Sequence, residues 1–431
     1  MSSVPTRALR GALIVTQDEK RTVLRGDVLI ADGKIAEVGK SLPQKADVEV
    51  DAHRMLVAPG FINLHTHVAN TLLRGVADDL DFGGFLEKMF SYDAKRTEAD
   101  IEVGALLGGA EMLLGGTTTY LDMYYGMDAV GRASERLGIR SFLGWAVLDA
   151  QFTTQKGIPV DNAREFMGRW KNHELVTPLP APQGVYVVSE ETWLKTKELA
   201  DQKRSLVHYH LSETLKEVED HVGKHGLRPV EWLEKIGFLG PGQIAAHSVW
   251  LKNNEIALMA QRKVAAAHCP SSNMKLASGG GGLCPVTELR AQGAVVGIGT
   301  DSSTSSNTLS MLRLTHLTGL AHKHARHDPK SLPAQVLLDM ATREGARALG
   351  QEGFLGTIVP GAAADLVLYD MAHPSLAPVD TASAVANLVY SANEGAVNSV
   401  FVGGRPVVDR GRLAGLGDEE LEKIALSPPL R

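Results

Sequence analysis

The sequence predicts an α/β protein: a parallel (β/α)8 TIM barrel with a small discontinuous β-sandwich contributed by both ends of the chain. Three observations support this fold class. Short apolar runs of strand type recur eight times in the middle of the 431-residue chain, helical patterning separates most of them, and β-rich segments flank the series. Strands that alternate with helices are typical of parallel sheets, and eight such units close a barrel.

The two flanks of the series share one residue pattern. Residues 1–58 and residues 356–431 both carry short stretches of Val, Ile and Leu between Gly, Asp and Pro, which is typical of strands joined by turns. We therefore predict two halves of one β-sandwich at 1–58 and 356–431, around a barrel at 59–355. The eight predicted barrel strands are FINLHTH, TTTYLDM, RSFLGWAV, GVYVVS, LVHYHL, QIAAH, VAAAH and VVGIGT.

Composition excludes several classes of partner. The formal net charge is -6 and the basic residues are scattered, whereas nucleic acids and anionic membranes need a concentrated basic surface. No run reaches the ~18 apolar residues of a membrane span, and no signal-peptide segment opens the chain. Two cysteines, Cys269 and Cys284, are too few for a disulfide framework. We expect a cytoplasmic enzyme that acts on a small molecule. A glycine run at 279–282 predicts a loop.

Polar residues lie at the ends of five predicted strands, where the catalytic groups of a parallel barrel collect. His65 and His67 are two apart, so both imidazoles point to one face and can share a divalent metal ion. His210 and Asp301 would complete a set of three imidazoles and one carboxylate, but by alternation His208 faces the same side as His210. Spacing leaves that choice open. The full set is His65, His67, His208, His210, His247, His268 and Asp301.

These residues lie in motifs that resemble those of the amidohydrolase superfamily. PGFINLHTH resembles the first-strand motif and HLSET the fifth, while IAAHSVWL, HCPSSNMKLASG and GIGTDSSTSSNTLSM resemble the sixth, seventh and eighth. The resemblance covers nearly the whole chain, and it includes the barrel with its split sandwich. It is greatest to the branch of mononuclear deaminases and triazine hydrolases. HTHVANTLLRGVADDLDF is similar to the HTHxxxTLLRG run of methylthioadenosine/S-adenosylhomocysteine deaminases.

The resemblance implies a role for each residue. It makes His210 the metal ligand and leaves His208 a packed interior residue. Glu213 would be the general acid/base, His247 a catalytic histidine beside the metal, and Asp301 a metal ligand. It also implies a homo-oligomer and a single divalent ion, most often zinc, with iron or manganese as alternatives, because the predicted fourth strand lacks the modified lysine of binuclear members.

Two departures from the pattern concern the substrate. Nucleoside deaminases carry a glutamate that contacts the ribose, and counting from the HxH motif puts Ala94 there, with Asp93 beside it. Gln183 stands where a sugar-contacting histidine is expected. Both changes favour a bare ring, such as an aminopurine, pterin or aminotriazine, over a nucleoside. The predicted substrate contacts are Leu73, Arg74, Phe90, Trp145, Gln183 and His268.

The leading hypothesis is a metal-dependent hydrolytic deaminase of an aminated heteroaromatic compound, in which Glu213 delivers the proton that the leaving amine requires. A hydrolytic dechlorinase or cyclic amidase on the same metal site is the alternative, since Glu213 suits either reaction. A catalytically silent metal-binding barrel is the hypothesis from another class. Two residues also have simpler interpretations: Asp301 as a helix N-cap, and Glu213 as a residue of a first helical turn.

Overall fold

The computed structural model describes residues 5–279 and 283–426, so most of the predicted glycine loop lies outside the described residues. Three short 3-10 helices cover Val68–Leu73, Ala150–Phe152 and Glu394–Ala396. The strands are β1 Arg7–Val15, β2 Val23–Ala31, β3 Lys34–Gly39, β4 Val48–Asp51, β5 Met55–Pro59, β6 Phe61–Thr66, β7 Thr117–Tyr124, β8 Arg140–Val147, β9 Val176–Pro182, β10 Val207–Leu211, β11 Gln243–His247, β12 Ala265–His268, β13 Val296–Ile298, β14 Leu366–Asp370, β15 Val397–Val402, β16 Arg405–Asp409 and β17 Arg412–Leu413.

Helices lie between most of the strands. They are α1 Phe82–Asp93, α2 Glu98–Leu114, α3 Met127–Leu137, α4 Pro159–Arg169, α5 Glu190–Lys203, α6 Leu215–His225, α7 Pro229–Lys235, α8 Asn253–Arg262, α9 Pro270–Lys275, α10 Val286–Ala291, α11 Met311–Arg326, α12 Ala334–Ala341, α13 Arg343–Ala348, α14 Ala384–Tyr390 and α15 Asp418–Ala425. Among the described residues, no helix has both the length and the apolar character that a membrane span requires.

Both ends of the chain contribute to one nine-stranded sheet. Its order is β17-β16-β15-β14-β5-β1-β2-β3, and β4 pairs with β1 in parallel. The junction between the two ends is the antiparallel pair of β5 and β14, with Val57 opposite Leu368. Val57, Leu366 and Leu368 are buried in one apolar cluster with residues of β1 and β2. The predicted meeting of the two flanks is therefore confirmed at the level of the sheet.

The middle of the chain forms two four-stranded parallel sheets, β6-β7-β8-β9 and β10-β11-β12-β13. Seven of the eight predicted strands coincide with strands of these sheets. Their residues are almost all buried, and side chains from both sheets share one apolar cluster. Strands buried on both faces are continuous apolar runs rather than alternating ones, which is how the sequence presents them.

The prediction for the fourth strand is wrong. GVYVVS is a loop, and the strand is β9, immediately before it. The sequence pattern of β9 does not look like a strand, because β9 contains Pro178, Pro180 and Pro182. Proline normally argues against a strand inside a sheet. Alternate residues direct their backbone N–H to the same side of a strand, so three alternate prolines leave one side of β9 without donors. β9 accordingly has a ladder only with β8, and the His210 N–H donates to the Gln183 carbonyl at 3.0 Å beyond it.

The first and last strands of these sheets meet at their carboxyl ends. The Asp301 N–H donates to the His65 carbonyl at 2.9 Å. The Asn63 side chain donates to the Thr300 hydroxyl at 2.8 Å and accepts the Thr300 N–H at 3.0 Å. A Cβ at Gly299 would lie 2.7 Å from the Cβ of His65, so this approach requires glycine. The contact brings Asp301 to the strand that carries His65.

Candidate metal and active site

Three histidines and one aspartate converge at the carboxyl ends of β6, β10 and β13. The Nε2 atoms of His65 and His67 each lie 3.3 Å from Oδ1 of Asp301. Nε2 of His210 lies 3.3 Å from Nε2 of His67. We call His65, His67 and His210 the ligand histidines. The structure therefore brings together all four residues predicted to hold a metal.

Backbone carbonyls fix the orientation of two ligand histidines. Nδ1 of His67 donates to the Met123 carbonyl at 2.6 Å, and Nδ1 of His210 donates to the Gln183 carbonyl at 2.8 Å. A carbonyl only accepts, so each Nδ1 carries the ring proton and each Nε2 keeps its lone pair. Metal-binding histidines are held in this way, with the other ring nitrogen bound to a carbonyl or carboxylate.

His208 orients the third ligand histidine. Its Nδ1 donates to the Ile244 carbonyl at 2.8 Å, so its Nε2 accepts the Nδ1 proton of His65 at 2.7 Å. Nε2 of His65 is buried and has no hydrogen-bond partner. A buried nitrogen left without a partner and aimed at a carboxylate is what a metal ligand leaves when the ion is removed. His208 itself is a buried interior residue, as the family resemblance implies.

The donor set fits a divalent cation. Burial lowers the pKa of His65 and that of His210, so both imidazoles are neutral near pH 7. Burial opposes ionisation of Asp301, but the neighbouring imidazoles, above all His65, hold its pKa well below the usual range. The Ser305 hydroxyl donates to the other carboxylate oxygen at 2.9 Å. A set of three imidazoles and one carboxylate suits zinc, iron or manganese.

Asp301 is not a helix N-cap. The next helix, α11, begins only at Met311, and turns cover the residues between. Asp301 and His247 both have left-handed backbones, with φ of 58° and 68°. Non-glycine residues in this region cost free energy and cluster at functional sites. The strained strand ends turn both side chains towards the ligand histidines.

Glu213 and His247 form a second pair at this site. Oε2 of Glu213 lies 3.6 Å from Nε2 of His247. The Asn273 amide donates to Nδ1 of His247 at 3.0 Å, so the neutral ring carries its proton on Nε2 and presents it to Glu213. Burial lowers the pKa of His247 to about 3 and raises that of Glu213 well above its usual range. The pair can therefore hold and transfer protons near neutral pH.

Glu217 fixes the segment that carries Glu213. Its two carboxylate oxygens accept the backbone N–H groups of Ser212 and Glu213, both at 2.8 Å. Burial raises the pKa of Glu217 to about 7. Sequence reasoning missed this residue. The Thr214-to-Glu217 spacing, a helix-capping pattern just after the catalytic motif, is the signal that would have found it.

A cavity of about 120 Å³ lies beside the ligand histidines, and Glu213, His247 and Asp301 lie in its wall. One side of α1 supplies much of the rest. Apolar residues at helical spacing form this side, of which sequence reasoning selected only Phe90, although the spacing is the signature of one helix face. These residues are Phe82, Phe85, Leu86, Met89 and Phe90.

Gln183, a predicted substrate contact, also lies in the cavity wall. Its Nε2 donates to the Tyr186 hydroxyl at 2.9 Å, and its Oε1 is buried without a partner. Leu73 and Arg74 lie elsewhere. Leu73 is fully buried within an apolar cluster of side chains, and Arg74 forms an ion pair with Glu111. The chain turns away from the cavity before it reaches these two residues.

The other two predicted contacts also lie outside the wall. Trp145 donates its Nε1 to Gln155 at 2.7 Å and lines a separate surface pocket, because successive residues of β8 alternate and Ala146 is the one that faces the cavity. Nε2 of His268 lies 3.2 Å from Nε2 of His322 on α11. We call His268 and His322 the distal pair.

The acidic residue that faces the cavity is Asp93, whereas counting from the HxH motif pointed to Ala94. The Asp93 side chain lies in the cavity wall, whereas Ala94 is the C-cap residue of α1. The Tyr124 hydroxyl donates to Asp93 at 2.5 Å, and Nη1 of Arg96 lies 3.6 Å from the same carboxylate oxygen. The cavity wall therefore contains an acidic side chain at the residue next to the position that sequence counting gave.

Comparisons with known proteins agree with this geometry. A 5-methylthioadenosine/S-adenosylhomocysteine deaminase from Thermodesulfovibrio yellowstonii is 38% identical over 429 residues, covering 96% of each chain. A zinc-bound structure of an adenosine deaminase from Xanthomonas campestris is 31% identical with a TM-score of 0.92, covering 97% of this chain and 96% of that one. A zinc-bound structure of an atrazine chlorohydrolase from Arthrobacter aurescens is 26% identical with a TM-score of 0.88, covering 98% and 99%. Residues 56–407 match the model of the amidohydrolase family, and the chain belongs to that family.

Proposed function

We propose that this protein is a metal-dependent hydrolytic deaminase of a 6-aminopurine nucleoside or a related aminated heteroaromatic compound. The observation that carries the proposal is the position of Glu213, a buried carboxyl group in the same cavity wall as His67, His210 and Asp301. Displacement of an aromatic amine needs a proton donor beside the attacking oxygen, and this arrangement supplies one.

The three ligand histidines and Asp301 are the proposed metal ligands. Zinc is the proposed ion, because both structures compared above contain it. A divalent ion bound to these residues would lower the pKa of water and so supply hydroxide near neutral pH. One ion is proposed, since β9 ends in proline and offers no lysine for a second.

The proton steps fall to Glu213. It would take a proton from the attacking water and pass it to the ring nitrogen. It would then take the second proton of that water from the hydroxyl group on the ring carbon and protonate the departing amine, which leaves as ammonia. The Nε2–H of His247 would donate a hydrogen bond to the oxygen that attacks the ring carbon, which stabilises the charge that develops there. Its low pKa keeps this histidine neutral, and the Asn273 amide keeps the proton on Nε2.

Asp93 supports a nucleoside over a bare ring. Its carboxylate can accept hydrogen bonds from sugar hydroxyls, and Oε1 of Gln183 is a second acceptor in the same wall. Two of the compared relatives are named for adenosine-type substrates. The atrazine chlorohydrolase keeps hydrolytic dechlorination as the second candidate, because its structure is also very similar.

We also propose the larger organisation. The two four-stranded sheets would be halves of one closed barrel at residues 59–355, and the nine-stranded sheet would be the core of a β-sandwich domain at 1–58 and 356–431. The protein would act in the cytoplasm as a homo-oligomer, without a nucleic-acid partner.

The test is product release by the purified metal-loaded protein. Adenosine, 5′-methylthioadenosine, adenine, a pterin, an aminotriazine and a chlorotriazine are offered in parallel, and ammonia, chloride and bound metal are measured. We expect ammonia from the nucleosides. Chloride without ammonia would identify a dechlorinase, and a protein that holds no metal and forms no product would be a silent barrel.

A further inference from the structure

A second chamber adjoins the cavity that contains Glu213. We call it the outer chamber. Four residues belong to both walls, namely Phe90, Asp93, Tyr125 and Leu148. The outer chamber has a volume of about 340 Å³, compared with about 120 Å³ for the inner cavity. A group attached to a substrate near Asp93 therefore has space on the far side of Phe90 and Leu148.

The wall of the outer chamber is apolar or uncharged except for Asp93. Val187 and Phe152 join Phe90 and Leu148, and the remaining uncharged side chains are one amide, two hydroxyls and a phenol. Within the described residues, no lysine or arginine lines either chamber. Arg96 approaches Asp93, but only 1% of its side chain is exposed, so it is no counter-ion for a ligand.

Two aromatic rings of this wall are unusually open to solvent. Phe90 is 48% exposed and Phe152 is 45% exposed. Covering such rings with an apolar group releases about 25 cal/mol for each Å² removed from water. Exposed apolar side chains grouped around a cavity are typical of a ligand site rather than of ordinary surface.

We propose that the outer chamber is a subsite for an apolar, uncharged 5′ substituent of a purine nucleoside, and that it discriminates against a charged one. The inference rests on the proposed function and deepens it. The two compounds in the name of the Thermodesulfovibrio yellowstonii relative differ at this position. One carries a methylthio group, and the other a homocysteine with both a carboxylate and an ammonium group.

Electrostatics decides between these two substituents. A methylthio group loses little hydration when it enters the outer chamber, and it covers Phe90 and Phe152. A carboxylate beside Asp93 meets a like charge and no cation, so it must keep its water and gains nothing from the chamber. The ammonium group can approach Asp93, but that carboxylate already pairs with Arg96 and Tyr124.

The first measurement compares three substrates on the wild-type enzyme with metal bound. We expect kcat/KM for 5′-methylthioadenosine to exceed that for S-adenosylhomocysteine by about tenfold or more, the low end of what small apolar contacts supply. Adenosine, which leaves the outer chamber empty, should fall below 5′-methylthioadenosine. An equal or higher kcat/KM for S-adenosylhomocysteine would overturn the proposal.

Variants separate the outer chamber from the rest of the enzyme. Phe152→Ala should lower kcat/KM for 5′-methylthioadenosine and leave that for adenosine unchanged. Thr154→Arg, which adds a cation to the wall, should raise the relative kcat/KM for S-adenosylhomocysteine. The matched controls are Ile158→Ala and Ile158→Arg, at a 64% exposed residue of the same loop outside both walls. A Phe152→Ala variant that affects all three substrates equally contradicts the subsite.

The measurements on adenosine distinguish a failure of the proposed function from a failure of the outer-chamber proposal. If the metal-loaded protein releases no ammonia from adenosine or from either 5′-substituted nucleoside, the proposed function itself fails. If all three are deaminated at similar rates, the proposed function stands and only the outer chamber is wrongly assigned.

Discussion

Two groups of histidines, the ligand histidines and the distal pair, lie near the carboxyl ends of the strands. They differ in which ring nitrogen has a hydrogen-bond partner. In each ligand histidine, Nδ1 makes a hydrogen bond and Nε2 points towards the Asp301 carboxylate or a neighbouring Nε2. In His268 of the distal pair the arrangement is reversed. Nε2 contacts His322, and Nδ1 is buried without a partner.

The difference shows that a histidine at a strand end is not a metal ligand by position alone. The ligand histidines need three conditions together: a fixed Nδ1, a free Nε2, and a carboxylate within reach. His268 of the distal pair meets neither of the first two conditions, although burial lowers the pKa of both members of the pair. Each prediction below changes one side of this comparison.

The largest expected effect is that of Asp301→Asn. Losing an indirect partner of a metal site costs about 10- to 100-fold in metal affinity, so losing the proposed carboxylate ligand should cost more than that. The purified variant should contain far less metal per chain and show almost no activity. His268→Asn is the matched control and should keep its metal. A fully metallated Asp301→Asn protein would contradict the ligand assignment.

Glu213→Gln should separate metal binding from proton transfer. Glutamine has the same shape but cannot carry the proton, so kcat should fall about 10²- to 10⁴-fold, the usual contribution of a general acid/base. Metal content, measured on the same sample, should stay at the wild-type level. Unchanged kcat would remove Glu213 from the mechanism, and lost metal would make it a ligand instead.

Asp93→Asn tests the acidic side chain of the cavity wall, which is not one of the proposed metal ligands. A hydrogen bond to a charged group contributes about 1.5–3 kcal/mol, so KM for adenosine should rise about tenfold or more. Adenine, which has no sugar, should be deaminated as by the wild type. The ratio of the two kcat/KM values is the measurement, and a parallel loss on both compounds would show a general distortion of α1.

The smallest effect is expected from His322→Gln in the distal pair. Burial lowers the pKa of His322 to about 4, with Arg326 acting in the same direction and Glu288 opposing it. The unfolded chain therefore binds this proton first, from about pH 6.5 downward. The stability from the neutral, buried ring is complete above pH 6.5 and is lost as the pH falls towards 4.

The readout is the free energy of unfolding in urea at pH 7 and pH 5. His322→Gln should be less stable than the wild type at pH 7 but should lose less stability on acidification. Its kcat/KM at pH 7 should stay close to the wild-type value, because His322 lies outside the cavity wall. The control is His324→Gln, an exposed position of the same helix. If the free energy of unfolding of His322→Gln changes between pH 7 and pH 5 as much as that of the wild type, this histidine is not the source of the pH dependence.

The sequence predicted the strand ends well because periodicity and position determine them. It could not choose between His208 and His210, since both side chains of β10 face the interior and differ only in depth. It missed β9 because its prolines suppress the strand pattern. It misplaced the wall acid by one residue, at Ala94, because residues 68–97 follow no sheet register from which to count.

The outer chamber had no sequence signal at all. Its wall combines α1 with the segment after β8, and neither part carries an unusual residue pattern. What makes it a chamber is the approach of Phe152 and Val187 to Phe90, a purely tertiary arrangement. A cavity formed mainly by apolar side chains from separate segments leaves no mark on the sequence, whereas a cluster of histidines and carboxylates at strand ends does.

The pairing of β5 with β14 has a consequence for synthesis. β5 leads directly into β6, which carries His65, yet its partner Leu366–Asp370 leaves the ribosome some three hundred residues later. Until then the open edge of β5 is a template for pairing with other chains. Nascent chains that terminate before residue 366 should therefore aggregate.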